Sequence, residues 1–231
     1  MWTSSEVVER IADALAAREA SLRLEQAVHG LDSLNEVRCH AVLTEELLKT
    51  GGVLREVPYP GRSVPGTLRR ERDRCDLVLL PPGETRLVDP LREANARADA
   101  AGTLFEAAAP PPEPGAQPEV AYWLEVKVVS QMTTVHGCPT PNRTYASELI
   151  RAVTTDLSKL AAQPRIEHGG LALLLFSDSE RTGEHDATLT CHRCAAAGVS
   201  MRTPEIRHVP IVDRIGNACC TTVIIPRRSD R

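Results

Sequence analysis

Two charged residues stand inside the most regular apolar segment of the chain. Residues 121–129 alternate as a β-strand does, and Glu125 and Lys127 lie on the same face of that strand as Trp123. An ionised group that is buried without a partner costs several kcal/mol. The pattern therefore predicts a buried strand whose carboxylate and ammonium groups find partners elsewhere in the fold.

A second apolar run begins with an acid. Asp76 heads residues 76–80, and a Pro-Pro-Gly turn follows them. Side chains two positions apart in a strand are ~7 Å apart, and neighbouring strands are ~4.8 Å apart. If the two strands are neighbours, Asp76, Glu125 and Lys127 converge. Converging carboxylates repel each other unless a hard cation with oxygen ligands lies between them. We therefore predict a Mg²⁺ (or Mn²⁺) site at Asp76 and Glu125, with Lys127 beside it.

An Asp at the head of one strand and Glu-x-Lys in a later one resemble the PD-(D/E)XK nuclease superfamily, also called restriction-endonuclease-like. The resemblance covers about residues 33–176. It implies an α/β fold with a central mixed sheet flanked by helices. It also implies a metal-dependent phosphodiesterase that acts on nucleic acid, with DNA the expected substrate. The chain departs from the family pattern in having Cys75 where a proline is usual, and in the long separation of 49 positions from Asp76 to Glu125.

The resemblance assigns a role to five residues. Asp76 and Glu125 would hold the metal, and Lys127 would stabilise the transition state or orient the attacking water. Members of the superfamily carry a further acid on the helix before the first strand, which matches Glu36 here. Glu36 would complete the metal shell or position the water. Lys159, on the helix after the Glu-x-Lys strand, would position the substrate.

Each of these residues also has a simpler interpretation. Glu125 and Lys127 fit the exposed face of an edge strand, and Asp76 fits a turn that starts a strand. Glu36 fits the second half of a helix capping box. Lys159 fits a solvent-exposed ion pair with an acid on its own helix.

The apolar periodicity predicts the remaining elements. We expect residues 1–30 to form an N-terminal helical appendage and residues 31–231 the nuclease-like domain, with a proline-rich insertion at about 84–120. The predicted helices span residues 3–24, 34–48, 145–162 and 186–197, with another near 90–101. The predicted strands span 53–59, 76–80, 121–129 and 171–176, followed by a hairpin of 206–211 and 218–225. Residues 60–70 and 131–143 are expected to be loops.

Charge, cysteine content and hydropathy bear on partners and location. The net charge is −4, whereas nucleic-acid binders are more often basic. This charge favours a second hypothesis, a non-catalytic binding or regulatory module of the same fold. The longest strongly apolar stretch is Leu171 to Phe176 and no targeting pattern is visible, so we expect a cytoplasmic protein without membrane contact. The N-terminal helix is a candidate surface for a homodimer or another protein partner.

The seven cysteines form no regular framework, so we expect reduced thiols. Cys191 and Cys194 make a CxxC with His185 and His192 nearby. A zinc-stabilised interaction domain is therefore a third hypothesis, although zinc needs four converging ligands. The chain has no phosphate-binding glycine loop and no serine-hydrolase or zinc-protease motif, which weakens those classes.

Overall fold

A computed structural model of the chain describes residues 1–60, 73–89, 93, 98, 101 and 114–228. The fold is α/β, with a mixed six-stranded sheet that carries helices on both faces. Most of the predicted 60–70 loop, the predicted helix near 90–101 and the proline run at 110–112 lie outside the described residues. The described parts of the insertion are tied together by a bridge between Leu87 and Ala116.

The helices, in chain order, are α1 (Ser4–Leu24), α2 (Glu36–Leu47), α3 (Tyr145–Ser147), α4 (Val153–Ala161) and α5 (Glu180–Ala196). A 3₁₀ turn occupies Leu31–Ser33, and a π-helical turn, Glu148–Ala152, joins α3 to α4. The strands are β1 (Val53–Pro58), β2 (Arg74–Leu79), β3 (Tyr122–Ser130), β4 (Met132–Val135), β5 (Cys138–Pro141), β6 (His168–Ser177), β7 (Glu205–Pro210) and β8 (Cys219–Pro226). None of the helices in these described ranges is long and apolar enough to cross a membrane.

Helix ends follow local capping chemistry, and two of the predicted starts are corrected. Thr3 caps α1 in the expected capping box. The cap of α2 is Asn35, whose side chain accepts a hydrogen bond from the backbone N–H of Arg38 at 3.0 Å, so Glu36 is not half of a capping box. Helix α5 begins six residues earlier than expected, because Ser179 caps it.

The predicted loop at 131–143 is wrong, because β4 and β5 pair there as an antiparallel hairpin apart from the main sheet. Prolines and a glycine in this segment suggest a loop. The hairpin tolerates the prolines because it has only two strands, so each strand keeps one edge free of pairing.

The sheet order is β1-β2-β3-β6-β8-β7. Strands β3 and β6 are parallel, with the helical segment from α3 to α4 as their crossover, and the other neighbours are antiparallel. The Glu-x-Lys strand β3 is therefore central, which excludes the edge-strand interpretation of Glu125 and Lys127. Strand β1 forms one edge of the sheet, as Pro58 at its end predicts.

Alternate side chains of β3 enter two different cores. Leu124 and Val126 pack with α1 and α2 on one face. Val129 packs with α4 and α5 on the opposite face, and Trp123 lies on that side with Leu160 of α4. Glu125 and Lys127 share the face of Trp123 and Val129, as the alternation of the strand requires.

Helix α1 is part of the main core. Its apolar side chains, including Ile11 and Leu15, are fully buried in the cluster that also holds α2 and the sheet. The indole N–H of Trp2, just before the helix, donates to the Leu80 carbonyl at 2.8 Å. The helix does not extend from the domain as the predicted appendage would, although the domain boundary at residue 30 stays a prediction. A partner that binds through this helix also stays a prediction, and the core occupies its apolar side.

A buried ion pair fixes α1 to the segment before β8. Glu19 accepts hydrogen bonds from the Arg214 guanidinium at 3.1 Å and from the Val212 N–H at 3.0 Å. We predict that Arg214→Ala lowers the free energy of unfolding by about 3–5 kcal/mol, because it leaves a buried carboxylate unpaired. Arg18→Ala, which removes the exposed pair with Glu25, should cost less than about 1 kcal/mol. Urea denaturation of both variants measures this difference, and equal losses would contradict the buried role.

Candidate metal centre

The site lies where strands β2 and β3 separate. The last registered pair of their ladder is Leu77 with Leu124. Asp76 and Glu125 come next on the two strands, and their carboxyl groups contact each other. Beyond this point the Asp76 side chain replaces the backbone of β2 as a partner of β3, because its Oδ2 accepts the Val126 N–H at 2.8 Å. The two acids therefore meet where the β2–β3 ladder ends.

Glu125 is held in apolar surroundings. Its side chain is only 5% exposed and accepts a hydrogen bond from the hydroxyl of buried Tyr59. The Tyr59 ring stacks on Trp123 with centroids 5.9 Å apart, and the Trp123 N–H donates to the Pro118 carbonyl at 2.9 Å. This stack places a low-dielectric wall behind the carboxyl group.

Burial raises the pKa of Glu125 to about 8, and the negative charge of neighbouring Asp76 adds to the effect. The hydrogen bond from Tyr59 opposes the shift but does not cancel it. Burial, together with the repulsion from Asp76, thus lets Glu125 retain a proton near neutral pH. A bound cation would relieve the same repulsion.

One group of ligand atoms within the described residues has the spacing of a metal site. Nε2 or Nδ1 of His40 and carboxylate oxygens of Glu56 and Asp76 all lie within 4.8 Å of one another. Glu125 is not in this group, although it adjoins Asp76. The predicted ligand pair of Asp76 and Glu125 stays a prediction, and the structure brings two further donors to Asp76.

His40 offers an unused donor atom at this point. The residue is 4% exposed, and its Nε2 is buried without a hydrogen-bond partner. The nearest carboxylate oxygen is Oδ2 of Asp76, 4.0 Å away. An unsatisfied buried polar atom costs about 1–3 kcal/mol. A metal ion among His40, Glu56 and Asp76 would satisfy that nitrogen.

Glu56 reaches the group through an unusual backbone conformation. It lies opposite Asp76, between the registered pairs Arg55–Leu77 and Val57–Cys75, and its φ is +51°. A positive φ at a residue other than glycine costs about 1–2 kcal/mol, and such strain concentrates at functional sites. The conformation interrupts the β1–β2 ladder beside the carboxylate of Asp76.

Lys127 links helices on the two faces of the sheet. Its Nζ lies 3.0 Å from Oε2 of Glu36 on α2 and 3.4 Å from Oδ2 of Asp156 on α4. Burial lowers the pKa of Lys127, but these two carboxylates outweigh burial and raise it overall. The side chain therefore stays an ammonium and acts as a cation, not as a base.

Neither Glu36 nor Lys159, the two helix residues that the resemblance assigns, belongs to the cluster of possible metal ligands. Glu36 binds Lys127 and is not one of the three clustered metal donors. Lys159 forms an ion pair with Asp156 at 2.9 Å, as its simpler interpretation predicts. Its role in positioning a substrate stays a prediction.

Sequence reasoning missed His40, Glu56, Tyr59 and Asp156. A signal existed for His40, which is four positions after Glu36 and thus on the same side of α2. Glu56 joins the site through the register of β1 and its positive φ, which no sequence pattern reveals.

The cysteines do not form a zinc site within the described ranges. All seven are free thiols, and no group with metal-site spacing includes Cys191 or Cys194. Burial raises the pKa of Cys191 to about 11. Cys194 contacts the Thr154 hydroxyl at 3.4 Å, as an ordinary buried thiol does.

A cavity of about 330 Å³ opens beside the Lys127 network. Its lining includes the carboxylates of Asp32, Glu36 and Glu148 and contains no lysine or arginine. This side of the centre therefore carries negative charge.

No family model, curated protein or solved structure matches this chain. The resemblance to PD-(D/E)XK nucleases consequently rests on Asp76, Glu125 and Lys127 and on the strands that carry them. The chemistry of the centre has to follow from its own geometry.

The proton on Glu125 should make folding depend on pH. The unfolded carboxyl ionises near its ordinary value of 4.5, whereas the folded one ionises at about 8. Between these values only the unfolded chain has lost the proton, so stability falls as pH rises, by up to about 1.4 kcal/mol per pH unit. We predict that Glu125→Gln removes this fall in urea denaturation from pH 5 to 8 in EDTA. The exposed Glu184→Gln should follow the wild type. A fall that persists unchanged in Glu125→Gln would disprove this role.

The donor set should bind a transition metal better than magnesium, because imidazole suits such ions and Mg²⁺ prefers oxygen. We predict that the wild type binds Mn²⁺ more tightly than Mg²⁺ in calorimetry. His40→Ala should weaken Mn²⁺ binding by about tenfold or more, in the range that disturbing a metal site usually costs. His29→Ala, at an exposed position, is the matched control. Equal Mn²⁺ affinity in the two variants would exclude His40 as a ligand.

Proposed function

We propose that this chain is a metal-dependent phosphodiesterase with a restriction-endonuclease-like core, and that it cleaves nucleic acid, with DNA as its expected substrate. One observation carries the proposal. At the point where β2 and β3 part, the carboxyl groups of Asp76 and Glu125 contact each other, and Lys127 follows two positions later on β3, where it pairs with Glu36 and Asp156. Two acids in contact on neighbouring strands, with a lysine two positions after the second, support the resemblance.

The centre has donors enough for a divalent cation. Asp76 is shared between the predicted pair with Glu125 and the cluster with His40 and Glu56, so it is the residue on which we expect binding to depend most. A bound divalent cation polarises a phosphoryl oxygen and lowers the pKa of its water. The His40 nitrogen makes Mn²⁺ a better candidate than Mg²⁺.

Lys127 supplies the positive charge that a phosphodiester transition state needs. Its ammonium is half-buried and held between Glu36 and Asp156, so little reorganisation is needed when charge develops nearby. Glu36 thus acts as a positioning residue for the lysine. Glu125, which keeps its proton near neutral pH without a cation, would lose that proton when a cation binds beside Asp76.

A cytoplasmic location belongs to the same proposal. It is supported by the seven free thiols, since disulfides are rare in reducing compartments.

The second candidate is a non-catalytic binding or regulatory module with the same core. The ion pairs of Lys127 favour it, because a lysine with two carboxylate partners also describes a structural network. The negative net charge points the same way. Incubation with plasmid DNA and oligonucleotides in Mn²⁺ or Mg²⁺ separates the two candidates, since only the enzyme produces shorter fragments.

Removing the lysine tests the catalytic assignment. We predict that Lys127→Ala lowers the rate of metal-dependent cleavage by about 100-fold or more, because its charge acts on the transition state. The thermal unfolding temperature and the affinity for Mn²⁺ should change little. Cleavage of a labelled plasmid is the measurement. Lys49→Ala, which breaks an exposed pair with Glu46 on the surface of α2, should cleave at the wild-type rate. Unchanged cleavage by Lys127→Ala would remove the assignment.

A further inference from the structure

A second concave surface lies between α4 and α5, and its charge is opposite to that of the acidic cavity. The groove encloses about 840 Å³ and is lined by the π-helical turn and the two helices. Arg151, Lys159 and Arg193 line it, and no acidic residue does. We call this surface the α4–α5 groove.

Two of the three cations have their charge available. Within the ranges that the structure describes, Arg151 and Arg193 are exposed and form no ion pair. In a chain with 31 acidic and 27 basic residues, two unpaired arginines and a lysine on one surface without an acid give that surface a local positive charge. An extended polyanion satisfies all of them at once.

The groove leads to the candidate metal centre through Lys159. Nζ of this residue lies 2.9 Å from Asp156, whose other oxygen contacts Lys127. Asp156 has the largest effect in raising the pKa of Lys159, and the nearby charge of Glu125 raises it further. Lys159 is therefore the point at which the groove and the site meet.

The length and floor of the groove suit a nucleic-acid strand. Arg151 and Lys159 are eight positions apart, or about 12 Å along a helix, and a DNA strand has one phosphate about every 3.4 Å. The floor includes small and apolar side chains, Ile150, Ala196 and Ala197, which leave room for sugars. No aromatic residue lines it, so base stacking, and with it base preference, is not expected.

We propose that the α4–α5 groove binds the sugar–phosphate backbone of the nucleic acid and leads it to the metal centre. Binding is independent of base sequence and weakens as salt rises. The role of the groove as a substrate track rests on the proposed function, whereas the binding itself does not.

The test is a comparison of two double variants with the same loss of charge. Arg151→Gln with Arg193→Gln changes the groove. Arg10→Gln with Arg23→Gln removes two exposed arginines from α1 on the other face of the sheet. Fluorescence anisotropy follows binding of a labelled DNA duplex to the full chain in EDTA, over a range of NaCl concentrations. Circular dichroism confirms that each protein is folded.

We expect the groove variant to bind about tenfold or more weakly at low salt, and its slope of log affinity against log salt to be flatter by about two, since each lost phosphate contact removes about 0.9. The α1 variant should match the wild type. Equal affinities and slopes for the two variants would overturn the proposal. A second outcome would also overturn it. If a poly-glutamate peptide binds the groove variant more weakly than the α1 variant while the duplex binds both equally, the groove binds an acidic protein segment.

A small substrate separates this proposal from the proposed function. Bis(p-nitrophenyl) phosphate offers a phosphodiester too short to occupy the groove. With Mn²⁺, the groove variant should hydrolyse it at the wild-type rate and Lys127→Ala should not. If neither the wild type nor any variant hydrolyses this substrate or cleaves DNA, the enzymatic proposal fails. Weaker DNA binding by the groove variant would still support the proposal that the groove binds nucleic acid.

Discussion

The hydrogen bond from the Val126 N–H to Asp76 is the contact on which the candidate site depends. It ends the β2–β3 ladder with a side chain in place of a backbone group, so that among the described residues no strand pairs with the rest of β3 on that side. Glu125 is buried at this end point, where Tyr59 and Trp123 exclude water. Two acids in such surroundings need a proton or a cation between them, and this requirement follows from the strand geometry.

The parting of the strands also explains how one lysine reaches both faces of the sheet. Lys127 extends into the gap and contacts Glu36 on α2 and Asp156 on α4. A lysine within a complete ladder would be restricted to one face. The charges alternate from Glu36 through Lys127 and Asp156 to Lys159, so each ammonium has a carboxylate beside it. The network holds the Lys127 ammonium in a fixed position two residues after Glu125 on β3.

The sequence predicted the strands of the site better than its ligands. Alternation and burial place Glu125 and Lys127 on one face of a central strand, and the short run after Asp76 predicts its neighbour. The remaining donors depend on features without a local signature. Glu56 joins through strand register and a positive φ, and His40 joins because α2 packs across the end of the ladder. Helix α1 was expected to be peripheral because its charged face is prominent in sequence, whereas its apolar face completes the core.

Net charge is a poor guide to what this chain binds, because its charges are segregated. The π-helical turn between α3 and α4 carries Glu148, which lines the acidic cavity, and Arg151, which lines the α4–α5 groove. A π turn changes the angular spacing of side chains along a helix, and such turns recur at functional sites. Glu36 of the acidic cavity and Lys159 of the groove are linked through Lys127 and Asp156. A polyanion would be repelled from the cavity and attracted to the groove, so the proposed substrate would approach the candidate metal centre from the basic side.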